Sequence, residues 1–330
     1  MNRNQVVDFL QINYEAIKDG RGKWFDKRVA YTIARSFVAK EHQFSDNDYQ
    51  RLEAVLKEEL NVFNVLGQPV RGFLLGMLLA NGQSNEGNIQ MLLNDYQRLR
   101  DGGFQLSSYS YFSAYLLQFT EAAEKEFIIR KGHSIFEELK GHHYFLTGAE
   151  DGTMAIALAQ QKNLESLTSE QVGDLVEEYY QSLNKQGFYK SNQLQFAAAT
   201  AAMLTGSFSH ELIACLEHLL VELKQMGLRA KTECYTSLVT IAFIATRKKI
   251  DLTALEEYLE LLKKKTNLRF YKDFRYSLAL GLLTQEEMNH LLNDNSLNIS
   301  ALTITMMMAQ EAAAATAAIA IAASAANSSS

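Results

Sequence analysis

The stretch LNDYQRLRDGGFQLSSYSYFSAYLL, residues 93–117, decides the fold, because its DGGF reads either as a catalytic loop or as one copy of a recurring turn. Two other segments share its layout: YYQSLNKQGFYKSNQLQFAAATAAML from Tyr179 and LEHLLVELKQMGLRAKTECYTSLVTIAFI from Leu216. Each passes from an apolar helix end, through a short turn holding a large apolar residue, into a second apolar helix. Weaker copies start at Asn13, Leu52, Ile135 and Leu259. The turn anchors are Trp24, Phe63, Phe104, Tyr144, Phe188, Leu228 and Leu268, separated by 39, 41, 40, 44, 40 and 40 residues. A period near 40 belongs to two-helix repeats.

The chemistry at each anchor fits a helix, a tight turn and a second helix. Gly103, Gly187, Gly227 and Asn267 sit where a first helix needs a left-handed residue to end, a conformation in which Gly and Asn meet the least steric resistance. Asp26, Ser107 or Ser108, Asp151, Ser191 or Asn192, Thr232 and Asp273 then offer oxygens to the free N–H groups of the second helix. DGGF is therefore a helix stop plus an anchor, and the same slot accepts QGF, MGL and TNL. Gly-Gly-aromatic turns also occur in terpene cyclases and protein prenyltransferases, which are helical toroids. Those enzymes carry an acidic cluster or a zinc triad as well, and this chain has no Asp-Asp pair.

Composition points the same way. The 330 residues include one proline, where average usage predicts about 16, and proline is the residue least tolerated inside a helix. Pro69 itself precedes the run VRGFLLGMLLA, a first-turn position where its missing N–H is not needed. The expected fold is all-α: about seven helical hairpins of about 40 residues over 1–308, stacked as an α-α superhelix that is either open or closed into a toroid. Residues 309–330 are expected to add an Ala/Ser-rich helix and a frayed tail. That segment is too weakly apolar to span a bilayer, and Gln310 and Glu311 interrupt it.

A net charge of −6 argues against general nucleic-acid binding, which depends on neutralising phosphates. Two cysteines and an N-terminus without an apolar segment point to a reducing compartment, the cytoplasm. Cys215 and Cys234 lie at different heights on their hairpin, too far apart for an easy disulfide, and read as small core residues.

GHHYFLTGAED (141–151), with DGGF, NKQGF and the Ala/Ser tail, resembles a family of uncharacterised bacterial proteins known as a domain of unknown function. HHYFLT, in the pattern HHxFLT, is the most specific piece, and the resemblance covers nearly the whole chain. It implies a cytoplasmic bacterial protein with no assigned activity.

Candidate chemistry is sparse. His142, His143 and Asp151 are weak metal candidates, with Glu150 and His133 nearby, but no HExxH-like spacing supports them. The plainer expectation is a histidine capping the carbonyls after EELK. No nucleophile elbow, phosphate loop or dinucleotide fingerprint is present, so no catalytic residue and no cofactor is expected. Charge is more informative. The seven intra-hairpin turns sum to +4, and the acidic excess falls in the connections between hairpins. Lys190, Arg229, Lys231, Arg269 and Lys272 come from three consecutive turns and form the expected binding surface for an anionic partner. The expected function is a non-catalytic scaffold for a protein or peptide, without nucleic-acid or membrane partners. Tyr109, Tyr111, Tyr115, Phe196, Tyr235 and Tyr276 on the second helices are either part of its surface or core. The alternative is an enzyme with a pocket at the centre of a toroid shaped like a terpene cyclase or prenyltransferase.

Overall fold

The computed structural model describes residues 1–21, 26–60, 66, 68–105, 107–143, 147–148 and 151–293. Among these residues there are fourteen α-helices and no strand. The first half holds α1 (Arg3–Arg21), α2 (Lys27–Ala39), α3 (Asp46–Glu59), α4 (Gln68–Ala80), α5 (Glu86–Asp101), α6 (Ser110–Leu117) and α7 (Lys125–His142). The second half holds α8 (Gly152–Ala159), α9 (Ser169–Lys185), α10 (Asn192–Thr205), α11 (His210–Gln225), α12 (Tyr235–Ala245), α13 (Thr253–Lys265) and α14 (Lys272–Asn293). No helix among the described residues is long and apolar enough to cross a membrane.

Odd- and even-numbered helices differ in how they bury their surface. α9 is amphipathic and buries Val172, Leu175, Val176, Tyr179, Tyr180 and Leu183 along one stripe. All eight residues of α6 and of α8 are buried, and α12 is buried from Tyr235 to Ile244. A helix buried on every side is an interior helix, whereas a striped one has a solvent face. Each odd helix packs on the even helix that follows it, from α1 on α2 to α13 on α14. The even helices also touch in series, α2 to α4 and onward to α12 and α14, and the series returns to its start because α14 packs on α2 and α1 on α13.

Three helix ends are built alike. Gly103, Gly187 and Gly227 have φ of 94°, 95° and 74°, left-handed values that an L side chain resists. In each turn the anchor N–H reaches the carbonyl five residues back: Phe104 to Leu99, Phe188 to Leu183 and Leu228 to Leu223. The glycine N–H reaches the carbonyl three residues back, at Arg100, Asn184 and Lys224. This is the Schellman pattern, which satisfies the last carbonyls of a helix. The anchors differ in depth, since Phe104, Phe188 and Leu268 are buried while Leu228 is only partly covered. Trp24, Phe63 and Tyr144 lie outside the described residues, as do Glu150 and 309–330.

Two expectations about the turns need correction. Asn267 is not left-handed, because Glu41 is the one non-glycine residue with positive φ among the described residues. The Thr266 hydroxyl takes over instead, donating to the Leu262 carbonyl and accepting from the Leu268 N–H. This frees the Asn267 amide to bond elsewhere. Capping by side chains is also narrower than expected. Asp26 and Ser191 accept from the first turns of α2 and α10, but Asp151 makes no cap hydrogen bond to α8 and accepts instead from the Gly148 N–H at 2.8 Å. Of the aromatics on the even helices, Tyr111, Tyr115, Phe196, Tyr235 and Tyr276 are core.

Candidate functional site

The intra-pair turns touch one another in series, which sets their side chains next to each other. Gln195 Nε2 donates to Thr147 Oγ1 at 3.1 Å, linking the fifth pair to the fourth. The Tyr189 N–H donates to the Tyr235 hydroxyl at 2.9 Å, linking the fifth to the sixth. Ser277 Oγ donates to the Glu233 carbonyl, and Lys231 pairs with Asp273 at 3.6 Å, linking the sixth to the seventh. The series closes where Lys27 Nζ sits 4.9 Å from the centroid of the Tyr271 ring and donates to the Asn267 carbonyl. Turns five, six, seven and one thus adjoin.

The five basic residues singled out from sequence all lie on these turns. Lys190, Arg229, Arg269 and Lys272 are exposed, while Lys231 is half-buried beside Asp273. Three aromatic residues missed in the sequence stand among them. Tyr189 is 74% exposed, Phe270 89% and Tyr271 42%. The signal was present in GFYK and in LRFYK. An anchor slot has room for one apolar side chain, so with Phe188 and Leu268 packed inside, a further aromatic at the same tip must point out.

The histidines do something other than expected. His142 is the last residue of α7, and both it and His143 reach across to α9 rather than back to their own carbonyls. His142 Nε2 lies 3.4 Å from Asp174, and His143 Nε2 lies 2.5 Å from Glu177, with the His143 ring 4.1 Å from that of Tyr180. His133 meets the carbonyl of Gly103, just past the end of α5, at 3.1 Å. Asp151 is fully buried and bonded to Gly148. No group of three or more His, Cys, Asp and Glu among the described residues is placed to hold a metal ion. Cys234 is buried and Cys215 half-buried, and no disulfide joins them.

A pocket of about 470 Å³ opens where α1 and α2 meet α13 and α14, near the C-terminal ends of α2 and α14. Val6, Val38 and Leu282 form its apolar wall. Arg3 crosses it to Glu286 and Glu257, and its hydrogen bonds to these carboxylates, Glu286 foremost, raise the guanidinium further above its ordinary range. The Tyr258 hydroxyl donates to Glu286 at 2.8 Å, and burial pushes its ionisation well up. Glu286 therefore has both oxygens committed to neighbours that tie the helices together, an arrangement suited to structure more than to proton transfer.

Comparison with known proteins gives kinship without chemistry. The chain is 20% identical over 282 residues to the "Uncharacterized protein YeaA" of Bacillus subtilis (strain 168), covering 84% of this chain and 83% of the relative. No solved structure matches. The model of the family described as "Protein of unknown function (DUF4003)" matches residues 13–313, and the chain belongs to that family.

Proposed function

We propose that the seven helical pairs form a closed α/α toroid of hairpin repeats and that this toroid is a non-catalytic scaffold, binding an anionic protein or peptide partner through its turn edge. The contacts of α14 with α2 and of α1 with α13 support closure. Closure leaves no open groove to wrap a peptide, so the rims become the available surfaces. The observation that carries the reading is the row of cations on adjoining turns, Lys190, Arg229, Lys231, Arg269 and Lys272, in a chain whose net charge is −6. Each exposed charge alone contributes little, but charges within about 10 Å act together on one ligand at physiological salt.

Retention on immobilised poly-glutamate tests this. The wild-type chain should be retained and eluted by salt, and the triple variant Lys190→Glu, Arg229→Glu, Arg269→Glu should pass through. Equal retention of the two would remove the turn edge as the binding surface.

A further inference from the structure

We infer that the turn edge has a further anionic partner, a lipid bilayer surface, with Phe270 as the side chain that enters the boundary between headgroups and acyl chains. The inference rests on the basic-edge reading above and adds the aromatic residues to it. Phe270 and Tyr189 are the two most exposed large hydrophobic side chains among the described residues. Both stand at turn tips beside cations: Lys190 follows Tyr189, Arg269 and Lys272 bracket Phe270 and Tyr271, and Lys27 lies against the Tyr271 ring. Arg229 and Lys231 fill the turn between them. Over 26–28, 187–192, 227–233 and 267–273 cations outnumber acids seven to three, and two of those acids are already paired, Asp26 with Arg28 and Asp273 with Lys231.

Surface shape separates a bilayer from a folded or peptide partner. A side chain that is 89% exposed projects beyond its surroundings, and a rigid partner covers it only by offering a matching pocket. Lipid flows around a projection. Aromatic rings collect at the membrane interface, and Lys and Arg are drawn to the anionic headgroups within a Debye length. The acidic excess in the connections at the other ends of the helices would be repelled, so docking is one-sided. This is peripheral attachment, distinct from the spanning segment considered for residues 309–330.

Co-sedimentation of the full chain with phosphatidylcholine vesicles, with and without 30% phosphatidylglycerol, tests the inference. Binding should need the anionic lipid and weaken with salt. Phe270→Ser keeps the charge and, from an exposed tip, leaves folding intact; it should lower partitioning about tenfold, the scale of one buried aromatic side chain. The triple charge reversal should abolish it. Equal binding of wild type and Phe270→Ser would overturn the inference, leaving only charge adsorption. Retention on poly-glutamate without vesicle binding would overturn it too, while leaving the scaffold reading and its protein or peptide partner in place.

Discussion

Arg3 donates from Nε and Nη2 to the two carboxylate oxygens of Glu286, at 3.1 and 2.8 Å, and so ties α1 to α14 across 283 positions of sequence. Both side chains are partly covered, at 29% and 23% exposure, and forked guanidinium–carboxylate pairs are the stronger kind. A double-mutant cycle of Arg3→Ala and Glu286→Gln in denaturant melts should give a coupling of about 1 kcal/mol. Additive losses would mean that the pair contributes nothing to joining the first and last helices.

The contrast between Phe188 and Phe270 gives a second prediction. Phe188 is 1% exposed and stacks on Tyr235 with centroids 4.0 Å apart, so Phe188→Ala should cost about 3–5 kcal/mol. Phe270→Ala should change stability by less than about 0.5 kcal/mol. Thermal or urea unfolding of the two variants checks both values, and similar losses would show that the two tips are not packed as described.

The helical layout was legible because it rests on local rules. Gly103, Gly187 and Gly227 mark helix ends through a backbone conformation that other residues resist, and buried even-numbered helices are rich in apolar residues on all sides. What is remote in sequence was not legible. No periodicity shows that Arg3 meets Glu286, or that His142 and His143 face α9 and not their own helix end. The basic turn residues were readable from charge alone, whereas Tyr189 and Phe270 were hidden by their neighbours, since one apolar residue per turn was the anchor and the second was not separated from it.

Asn267 tests the corrected turn. Its Nδ2 donates to the Tyr14 hydroxyl at 2.8 Å and its Oδ1 accepts from Tyr31 at 3.3 Å, beneath the stacked Tyr14–Tyr31 pair. Glycine is the residue used at the corresponding place in three other turns, yet Asn267→Gly should destabilise by about 1–2 kcal/mol, because the side chain and not the backbone is what matters. A stability gain in chemical denaturation would restore the left-handed reading.

Asp26 supplies a pH dependence. Burial opposes its charge, but hydrogen bonds from Arg28, side chain and backbone, outweigh that and hold the carboxyl below the ordinary aspartate range. Its folded value is lower than its unfolded one, so its stabilising contribution is present above the unfolded value, near 3.9, and is lost as pH falls through the depressed folded value. Asp26→Asn should therefore reduce stability at neutral pH and flatten its decline below about pH 4. Parallel acid limbs for variant and wild type, followed by circular dichroism, would contradict this.

Hydrogen exchange of the full chain, with and without vesicles containing 30% phosphatidylglycerol, tests the turn-edge account most directly. The account predicts that added protection falls in 187–192, 227–233 and 267–273, and that the acidic connections 40–50 and 160–178 exchange as before. Protection in those connections, or in the odd-numbered helices instead of the turns, would contradict it.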